Sequence, residues 1–275
     1  NDAGSAGTPA TRGAMNVNDA FGPAHRAHAS PDGGTHFYTH RAAGDLMPNE
    51  LDYLGRVMEN PARPFVAILG GAKISGKIDV ITNLLPKVDK VIIGGGMAYT
   101  FFKARGLEIG RSLLEADKVA YAKEILAQGG DKLVLPVDCM VTDFFDFDAR
   151  KIGVLKEVGV DAIPLDWEGL DIGSKSIETF RAVLLNARTV IWNGPMGVFE
   201  IDETARGTYA IAELLSQVTA NGATTVIGGG DSASAVNKAG VADKVSHVST
   251  GGGASLEFIE GKTLPGVAAL TDKLP

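Results

Sequence analysis

Four apolar runs in this sequence end in glycine-rich turns, and these turns are its strongest chemical signal. They read FVAILGGAK (65–73), KVIIGGGMAY (90–99), TVIGGGDSASAV (225–236) and SHVSTGGGAS (246–255). A turn without side chains lets the backbone approach a phosphate closely, and the helix that follows offers free N–H groups and a partial positive charge. One such turn is equally consistent with tight packing alone. Four of them favour an extended polyphosphate ligand.

Two lysines follow the first of these turns. Lys73 and Lys77 are four residues apart, so we expect them on one face of a helix near its N-terminus. Two cations there oppose the helix dipole unless an anion lies between them. Solvated surface lysines are the alternative, but the position after a Gly-Gly turn favours an anion clamp.

An acidic residue directly follows the third turn. Asp231 stands where a helix N-cap would suit it. It could equally face Mg²⁺, which binds one or two carboxylates together with phosphate oxygens. Its position alone favours the cap.

Two glycine motifs resemble known nucleotide fingerprints only in part. Gly71 to Lys77 has the spacing of a P-loop, but Ile78 stands where a Ser or Thr hydroxyl would bind Mg²⁺. Gly228-x-Gly230-x-x-Ala233 fits the dinucleotide pattern, yet the next strand ends in Thr250 and offers no acid for a ribose. A P-loop is therefore disfavoured, and a nicotinamide-dependent oxidoreductase stays a weak alternative.

A cationic loop lies near the start of the chain, in VNDAFGPAHRAHAS (17–30). Arg26 is flanked by His25 and His28, and an arginine can grip a carboxylate or a phosphate bidentately. A metal pair or solvated histidines are the alternatives. Asp19 is the only acid nearby, which disfavours a metal.

The elements that must position these groups alternate between strands and helices from Arg63 onward. This alternation predicts βαβ units and a parallel sheet covered on both faces, with ligands at the carboxyl ends of the strands, where every glycine turn falls. Upstream, Leu46 to Glu59 has the pattern of an amphipathic helix, whereas residues 1–16 and 31–45 predict irregular structure. The expected fold class is α/β, with a Rossmann-like three-layer nucleotide-binding domain.

Composition limits the function classes. A net charge of −7 argues against nucleic acid or an anionic membrane surface as a partner. One cysteine, Cys139, favours a reducing cytoplasm, and apolar runs of strand length predict no membrane span. We expect a cytoplasmic monomer. Because the sequence starts at Asn1 and not at Met, we expect the natural N-terminus to lie upstream.

Six ordered segments together closely resemble the phosphoglycerate kinase family. They are VNDAFGPAHRAHAS, RPFVAILGGAKISGKI, KVIIGGGMAYTF, VIWNGPMGVFE, VIGGGDSASAV and HVSTGGGASLEFIEGKTLPGVAAL. The resemblance implies an enzyme, a phosphotransferase with a carboxyl group as acceptor, that acts in glycolysis. It would move a phosphoryl group between 1,3-bisphosphoglycerate and MgADP, giving 3-phosphoglycerate and MgATP, with Mg²⁺ as cofactor and ATP or ADP as co-substrate.

The resemblance also implies roles for individual residues. Lys73 would stabilise the transferring phosphoryl group, Lys77 would hold nucleotide phosphates, and Asp231 would hold the Mg²⁺-nucleotide, which replaces the cap interpretation. The other residues implied for the nucleotide are Gly71, Ala72, Gly95, Gly96, Gly169, Leu170, Asn193, Pro195, Val198, Gly230 and Ser232, with Glu200 at the ribose. The residues implied for catalysis or for the acid substrate are His25, Arg26, Gly251, Gly252 and Gly253.

The resemblance predicts four parts of the chain. They are a remnant of the N-terminal α/β acid-substrate domain (1–45), an interdomain helix (46–60), the nucleotide-binding domain (61–260) and a C-terminal tail (261–275). The family motifs R-x-D-x-N-x-P and H-L-G-R-P are not found in this sequence, so we expect impaired acid-substrate binding. Gly76 replaces an aspartate expected between the two lysines, and Ser174 replaces a proline. A non-catalytic ATP/ADP-binding module is the alternative.

Overall fold

The computed structural model describes residues 15–271. Its strands are β1 (Asn16–Asn18), β2 (Arg41–Ala43), β3 (Phe65–Leu69), β4 (Lys90–Ile93), β5 (Leu133–Val134), β6 (Asp138–Thr142), β7 (Phe145–Asp146), β8 (Lys151–Ile152), β9 (Leu155–Gly159), β10 (Glu168–Ile172), β11 (Thr189–Asn193), β12 (Thr224–Gly228) and β13 (His247–Val248). Its α-helices are α1 (Leu46–Glu59), α2 (Ile78–Leu84), α3 (Met97–Ala104), α4 (Val119–Gly129), α5 (Ser174–Leu184), α6 (Arg206–Ala220), α7 (Gly230–Lys238), α8 (Gly252–Ile259) and α9 (Pro265–Ala268).

The main sheet has the strand order β13-β12-β11-β3-β4-β5. Strand β11 pairs in parallel with β3, from Thr189 opposite Phe65 to Asn193 opposite Leu69. Parallel pairing continues through β4 to β5, and β12 pairs in parallel with β13. Both β3 and β11 are buried along their whole length, as expected for a sheet covered on both faces. The predicted α/β class is confirmed.

The core beneath this sheet fixes the strand ends that carry the glycine turns. Trp192 on β11 and Ile68 on β3 pack with Phe180 of α5 and Ile211 of α6, and all four side chains are fully buried. Each such side chain contributes roughly 1.5–3 kcal/mol by leaving water. The strands are therefore a rigid base for the residues that follow them.

A second, antiparallel sheet was not predicted. It has the order β10-β6-β9, with β6 in the centre. The run KLVLPVD (132–138) lies in the region of predicted alternation but does not form one continuous strand, because only Leu133–Val134 joins the parallel sheet and Asp138 begins β6. Pro136 lies between the two strands and has no N–H for a ladder, which accounts for the break.

The described residues divide into two compact units. The first contains residues 15–60, 228–230 and 249–271, and the second contains residues 61–227 and 231–248. The four-part domain division expected from the sequence stays a prediction; it places residues 61–260 in one domain, whereas the second compact unit contains residues 61–227 and 231–248.

Hydrogen bonds within the first unit explain this grouping. The N–H of Gly266 donates to the carbonyl of Ala24 at 2.8 Å, and the N–H of Thr271 donates to that of Arg41 at 2.9 Å. Helix α1 occupies the predicted residues Leu46–Glu59. The segment 31–45 is less irregular than expected, since it contains β2, which pairs in parallel with β1. Of the residues 1–16 expected to be irregular, 1–14 lie outside the described residues and Asn16 begins β1.

Candidate functional site

The turns that follow β3, β4 and β11 interlock at one edge of the main sheet. Gly71, Gly95 and Gly194 have positive φ angles of 103°, 68° and 95°. The N–H of Gly71 donates to the carbonyl of Pro195, and that of Gly95 to the carbonyl of Met196, both at 2.9 Å. A Cβ on Gly95 would lie 2.5 Å from the nitrogen of Gly71. Glycine is therefore required for these turns to meet.

These turns form part of the wall of a cavity of about 430 Å³. Most of the residues predicted to bind nucleotide line it, namely Gly71, Ala72, Gly95, Gly96, Gly169, Leu170, Pro195, Val198, Glu200 and Asp231. The volume lies within the range of small-molecule sites, and the position at the carboxyl ends of parallel strands is the usual one for ligands of such sheets. The second unit thus brings distant sequence segments together around one space.

Lys77 and Asn193 form a polar pair at the end of β11. The Nζ of Lys77 donates to the Oδ1 of Asn193, whose residue is 3% exposed. The Nδ2 of Asn193 is buried and has no hydrogen-bond partner among the described residues. A buried donor without a partner costs about 1–3 kcal/mol. An acceptor from a bound ligand, such as a phosphate oxygen, would remove that cost.

The two lysines do not share one helical face as expected. Lys73 is exposed in the loop after β3, and Lys77 ends a short 3₁₀ turn, Ser75–Lys77, that precedes α2. Ser75 lies between the two lysines, and its N–H donates to the carboxylate of Glu115 at 3.0 Å. This hydrogen bond fixes the loop that joins Lys73 to Lys77. The prediction was wrong because the i, i+4 rule holds only within one regular helix. Lys73 is exposed on this loop, and within residues 15–271 its ammonium makes no hydrogen bond or ion pair.

The residues after the third glycine turn separate into distinct positions. Asp231 is exposed in the first turn of α7, which begins at Gly230, so it is inside the helix and not at the N-cap. Ser232 is fully buried, and its hydroxyl accepts a hydrogen bond from the N–H of Gly194 at 2.6 Å. Its side chain therefore holds the turn after β11, whereas the Asp231 carboxylate lines the cavity.

The first unit contains a separate group of the predicted residues. The Nε of Arg26 donates to Nε2 of His25 at 3.2 Å, and a Cβ on Gly253 would lie 2.7 Å from that same Nε2. A Cβ on Gly252 would lie 3.3 Å from the nitrogen of Gly230. Imidazole, guanidinium and the N-terminal amides of α8 are thus neighbours. His28 is exposed, and no described contact gives it a role.

A buried glutamate positions the glycine turn of the first unit. Glu50 of α1 is fully buried, and one of its carboxylate oxygens accepts hydrogen bonds from the N–H and the hydroxyl of Thr250, each at 2.7 Å. Thr250 directly precedes the turn Gly251–Gly253. Sequence reasoning assigned Glu50 only to the helix, because an acid on an amphipathic helix ordinarily faces water.

A model of the phosphoglycerate kinase family matches residues 6–262. The chain belongs to the phosphoglycerate kinase family. A phosphoglycerate kinase of Chlorobium luteolum is 59% identical over 264 residues, which cover 95% of this chain and 66% of that protein. One from Chloroherpeton thalassium is 56% identical and is matched over 99% of this chain and 68% of its own length. The solved structure of phosphoglycerate kinase from Coxiella burnetii has a TM-score of 0.88 and 39% identity, covering 98% of this chain and 68% of that one.

This chain spans about two thirds of the length of the phosphoglycerate kinases that it matches. Within residues 15–271, no helix has the length and apolar character needed to cross a membrane.

Ser174, which replaces an expected proline, makes a hydrogen bond of its own. The N–H of Ser174 donates to the carboxylate of Glu157 at 3.1 Å, a contact that the proline expected at this position could not make.

The donor set at the cavity fits Mg²⁺ that arrives with a nucleotide. The carboxylate of Asp231 lines the cavity in the first turn of α7. In residues 15–271, three or more His, Cys, Asp or Glu side chains are nowhere grouped to hold a metal ion by themselves. Mg²⁺ commonly takes one or two carboxylates and completes its shell with water and substrate phosphates. One carboxylate in the wall of the cavity is compatible with that requirement.

Sequence reasoning did not identify one part of the cavity wall, which consists of apolar side chains and of titratable side chains. Its wall includes Ala98, Tyr99, Phe102, Arg111, Leu113, Cys139, Phe145, Phe147, Glu168, Asp171, Ile172 and Met196. Several of these lie on the unpredicted antiparallel sheet. The available signal was the apolar start of α3 directly after Gly96, which places Tyr99 one turn into a helix that begins at the cavity.

Three buried groups of this wall stay protonated at neutral pH or close to it. Burial raises the pKa of Cys139 to about 12 and holds the pKa of Tyr99 well above its usual value. Burial also raises the pKa of Asp171 to about 7, against hydrogen bonds from the N–H groups of Gly207 and Ile172. Neither the thiol nor the phenol is thus an activated nucleophile.

Proposed function

We propose that this chain performs the phosphoglycerate kinase reaction, the reversible transfer of a phosphoryl group between 1,3-bisphosphoglycerate and MgADP. The cavity at the carboxyl ends of β3, β4 and β11, with glycine turns on one side and Asp231 beside them, carries this proposal. Family membership supports it. The substrates would be small molecules, and we propose that the protein acts as a monomer in the cytoplasm.

The second unit would hold the nucleotide. Glycine turns let backbone approach the phosphates, while Lys77 and the unpartnered Nδ2 of Asn193 supply donors. Asp231 would hold Mg²⁺, which neutralises charge on the phosphate oxygens when it is bound. The apolar wall around Tyr99 and Phe102 matches the faces of a purine base. The phosphates, the metal ion and the base of MgADP thus each have a chemically suited counterpart.

The first unit would hold the acid substrate. Arg26 is exposed beside His25, and a guanidinium recognises a carboxylate or phosphate group bidentately. The N-terminal amides of α8, at Gly252 and Gly253, offer additional donors for phosphoryl oxygens. Glu50, through Thr250, would keep these amides in place.

The transfer step would rely on fixed positive charge and not on covalent chemistry. In phosphoryl transfer, charge develops on three equatorial oxygens, and catalysis is mainly positioning and electrostatic stabilisation. Lys73 carries an ammonium on a loop fixed at Ser75 by Glu115. We assign it the stabilisation of the transferring group, as the family resemblance implies.

Lys73→Met tests this assignment. We expect turnover to fall about 100-fold or more, while the dissociation constant of MgADP changes little. Lys123→Met removes the same charge from an exposed site on α4 and is the matched control.

Calorimetric titration of the wild-type chain with MgADP and with NAD⁺ tests the nucleotide class. Binding of NAD⁺ without binding of ADP would refute the proposal.

A nucleotide-binding module without transfer is the second candidate. The cavity and its phosphate-end donors all belong to the second unit, so nucleotide binding does not depend on the acid-substrate residues. The exposed Gly76 also leaves the loop between the two lysines without the aspartate expected there. MgADP binding with no turnover in a polypeptide of these 275 residues, and no effect of Lys73→Met, would favour this candidate.

A further inference from the structure

An acidic side chain of the cavity wall belongs to β10 and to none of the glycine turns. Glu168 begins β10, lines the cavity and has a side chain that is 24% exposed. Its Oε1 lies 3.8 Å from Nη2 of Arg111. Burial raises the pKa of this carboxyl, and the nearby guanidinium opposes that effect. Neither the family resemblance nor the mechanism above gives Glu168 a role.

The backbone around Glu168 is fixed on both sides. The N–H of Arg111 donates to the carbonyl of Trp167 at 2.8 Å, and the N–H of Gly169 donates to the hydroxyl of Ser112 at 2.9 Å. The Nη2 of Arg111 also donates to the carbonyl of Asp143 at 2.6 Å. Glu168 is therefore held in a defined place and does not move freely at the surface.

Electrostatics limits what Glu168 can contact in a bound nucleotide. A carboxylate repels phosphates, so a nucleotide whose phosphates lie at the glycine turns would present its ribose or its base to Glu168. The family resemblance assigns the ribose to Glu200, which also lines the cavity. Glu168 is followed by Gly169, over which the Tyr99 hydroxyl packs, and Tyr99 contacts Phe102 edge to face at 5.6 Å. Aromatic side chains of this kind suit a base.

We propose that Glu168 accepts a hydrogen bond from the 6-amino group of adenine and so selects adenine nucleotides. Oε1 lies 3.8 Å from Nη2 of Arg111, and in this proposal Oε2 accepts the hydrogen bond of the ligand. One acceptor oxygen is enough for one amino group. Recognition of guanine by a carboxylate needs both of its oxygens, which accept hydrogen bonds from N1–H and from the 2-amino group. Guanine and hypoxanthine also carry a carbonyl oxygen at position 6, which the carboxylate repels. The inference rests on the proposed nucleotide binding.

Calorimetric titration with MgADP, MgIDP, MgGDP and 2′-deoxy-MgADP tests the inference. We expect the wild-type chain to bind ADP more tightly than IDP or GDP, and Glu168→Leu to reduce that preference about fivefold. Glu168→Gln keeps a carbonyl acceptor and should retain part of the preference. Glu213→Leu removes an exposed carboxylate from α6 and is the matched control. Melting temperatures of all variants report on folding.

Each outcome separates this inference from the proposed function. Absence of ADP binding to the wild-type chain would refute the proposed function and the inference together. Normal ADP binding with the same ADP-to-IDP ratio in Glu168→Leu would overturn the inference alone. An equal loss for ADP and IDP that spares 2′-deoxy-ADP would assign Glu168 to the ribose. A preference for GDP that Glu168→Leu abolishes would show that Glu168 recognises guanine. The ribose result and the guanine result would each overturn the inference.

Discussion

Gly95→Ala is expected to disrupt the interlocked turns at the edge of the main sheet. The new Cβ would lie 2.5 Å from the nitrogen and 2.6 Å from the oxygen of Gly71, and 2.8 Å from the oxygen of Pro195. All three are backbone atoms, so no side-chain rotation relieves the overlap. The φ angle of 68° adds about 1–2 kcal/mol for a residue with a Cβ. Displacing well-packed neighbours adds about 1–3 kcal/mol, for a total loss of about 2–5 kcal/mol.

Gly106→Ala separates the two contributions. Gly106 has a φ of 83°, and a Cβ there would meet nothing within 4 Å, so this variant should lose only about 1–2 kcal/mol. Urea unfolding followed by tryptophan fluorescence measures both losses. Trp192 is a suitable reporter because its indole N–H donates to the carbonyl of Gly194 at 2.7 Å. Gly95→Ala should also weaken MgADP binding. Equal losses of unfolding free energy in the two variants would refute the interlocking argument.

Two other predictions concern polar groups of the cavity. Asn193→Ala should raise the dissociation constant of MgADP about tenfold, because it removes a buried donor that lacks a protein partner; unchanged affinity in calorimetry would contradict this. Because the pKa of Asp171 is raised to about 7 in the folded chain, its protonated form is favoured on folding, so its stabilising contribution is present at low pH and is lost as pH rises from about 4 through about 7. Urea unfolding at several pH values should show this decline in the wild-type chain and a flatter profile in Asp171→Asn, and parallel profiles would contradict it.

The parallel sheet was predictable because its signal is local and repeated. Each strand is an apolar run, and each is followed by a turn and a helical pattern, as at Phe65–Leu69 and Thr189–Asn193. The antiparallel sheet was not predictable in this way. Its strands β9 and β10 are partly exposed, and both pair with β6 through contacts that no local pattern encodes.

The glycine turns of the candidate site could be located from the sequence for a related reason. Each follows an apolar run, so Gly71 and Gly95 were expected at the carboxyl ends of strands, and both line the cavity; their contact with phosphate stays a prediction. The pairing of Lys77 with Asn193 could not be located in this way, because it joins two loops through side chains. The error about Lys73 has the same origin, since a 3₁₀ turn replaced the expected first turn of the helix.

In the proposed function, the acidic groups of the cavity would help to orient an anionic nucleotide in one direction. The chain has a net charge of −7, so phosphates would be repelled on average, and the proposed nucleotide would need local attraction from backbone amides and from Lys77. Glu168 and Glu200 line other parts of the wall, where a carboxylate disfavours a phosphate but accepts hydrogen bonds from a base or ribose. Asp171 adds little repulsion while it is protonated, because its pKa is about 7. Above that pH its charge would strengthen the bias against a reversed nucleotide, so orientation should become more selective even as the fold becomes less stable.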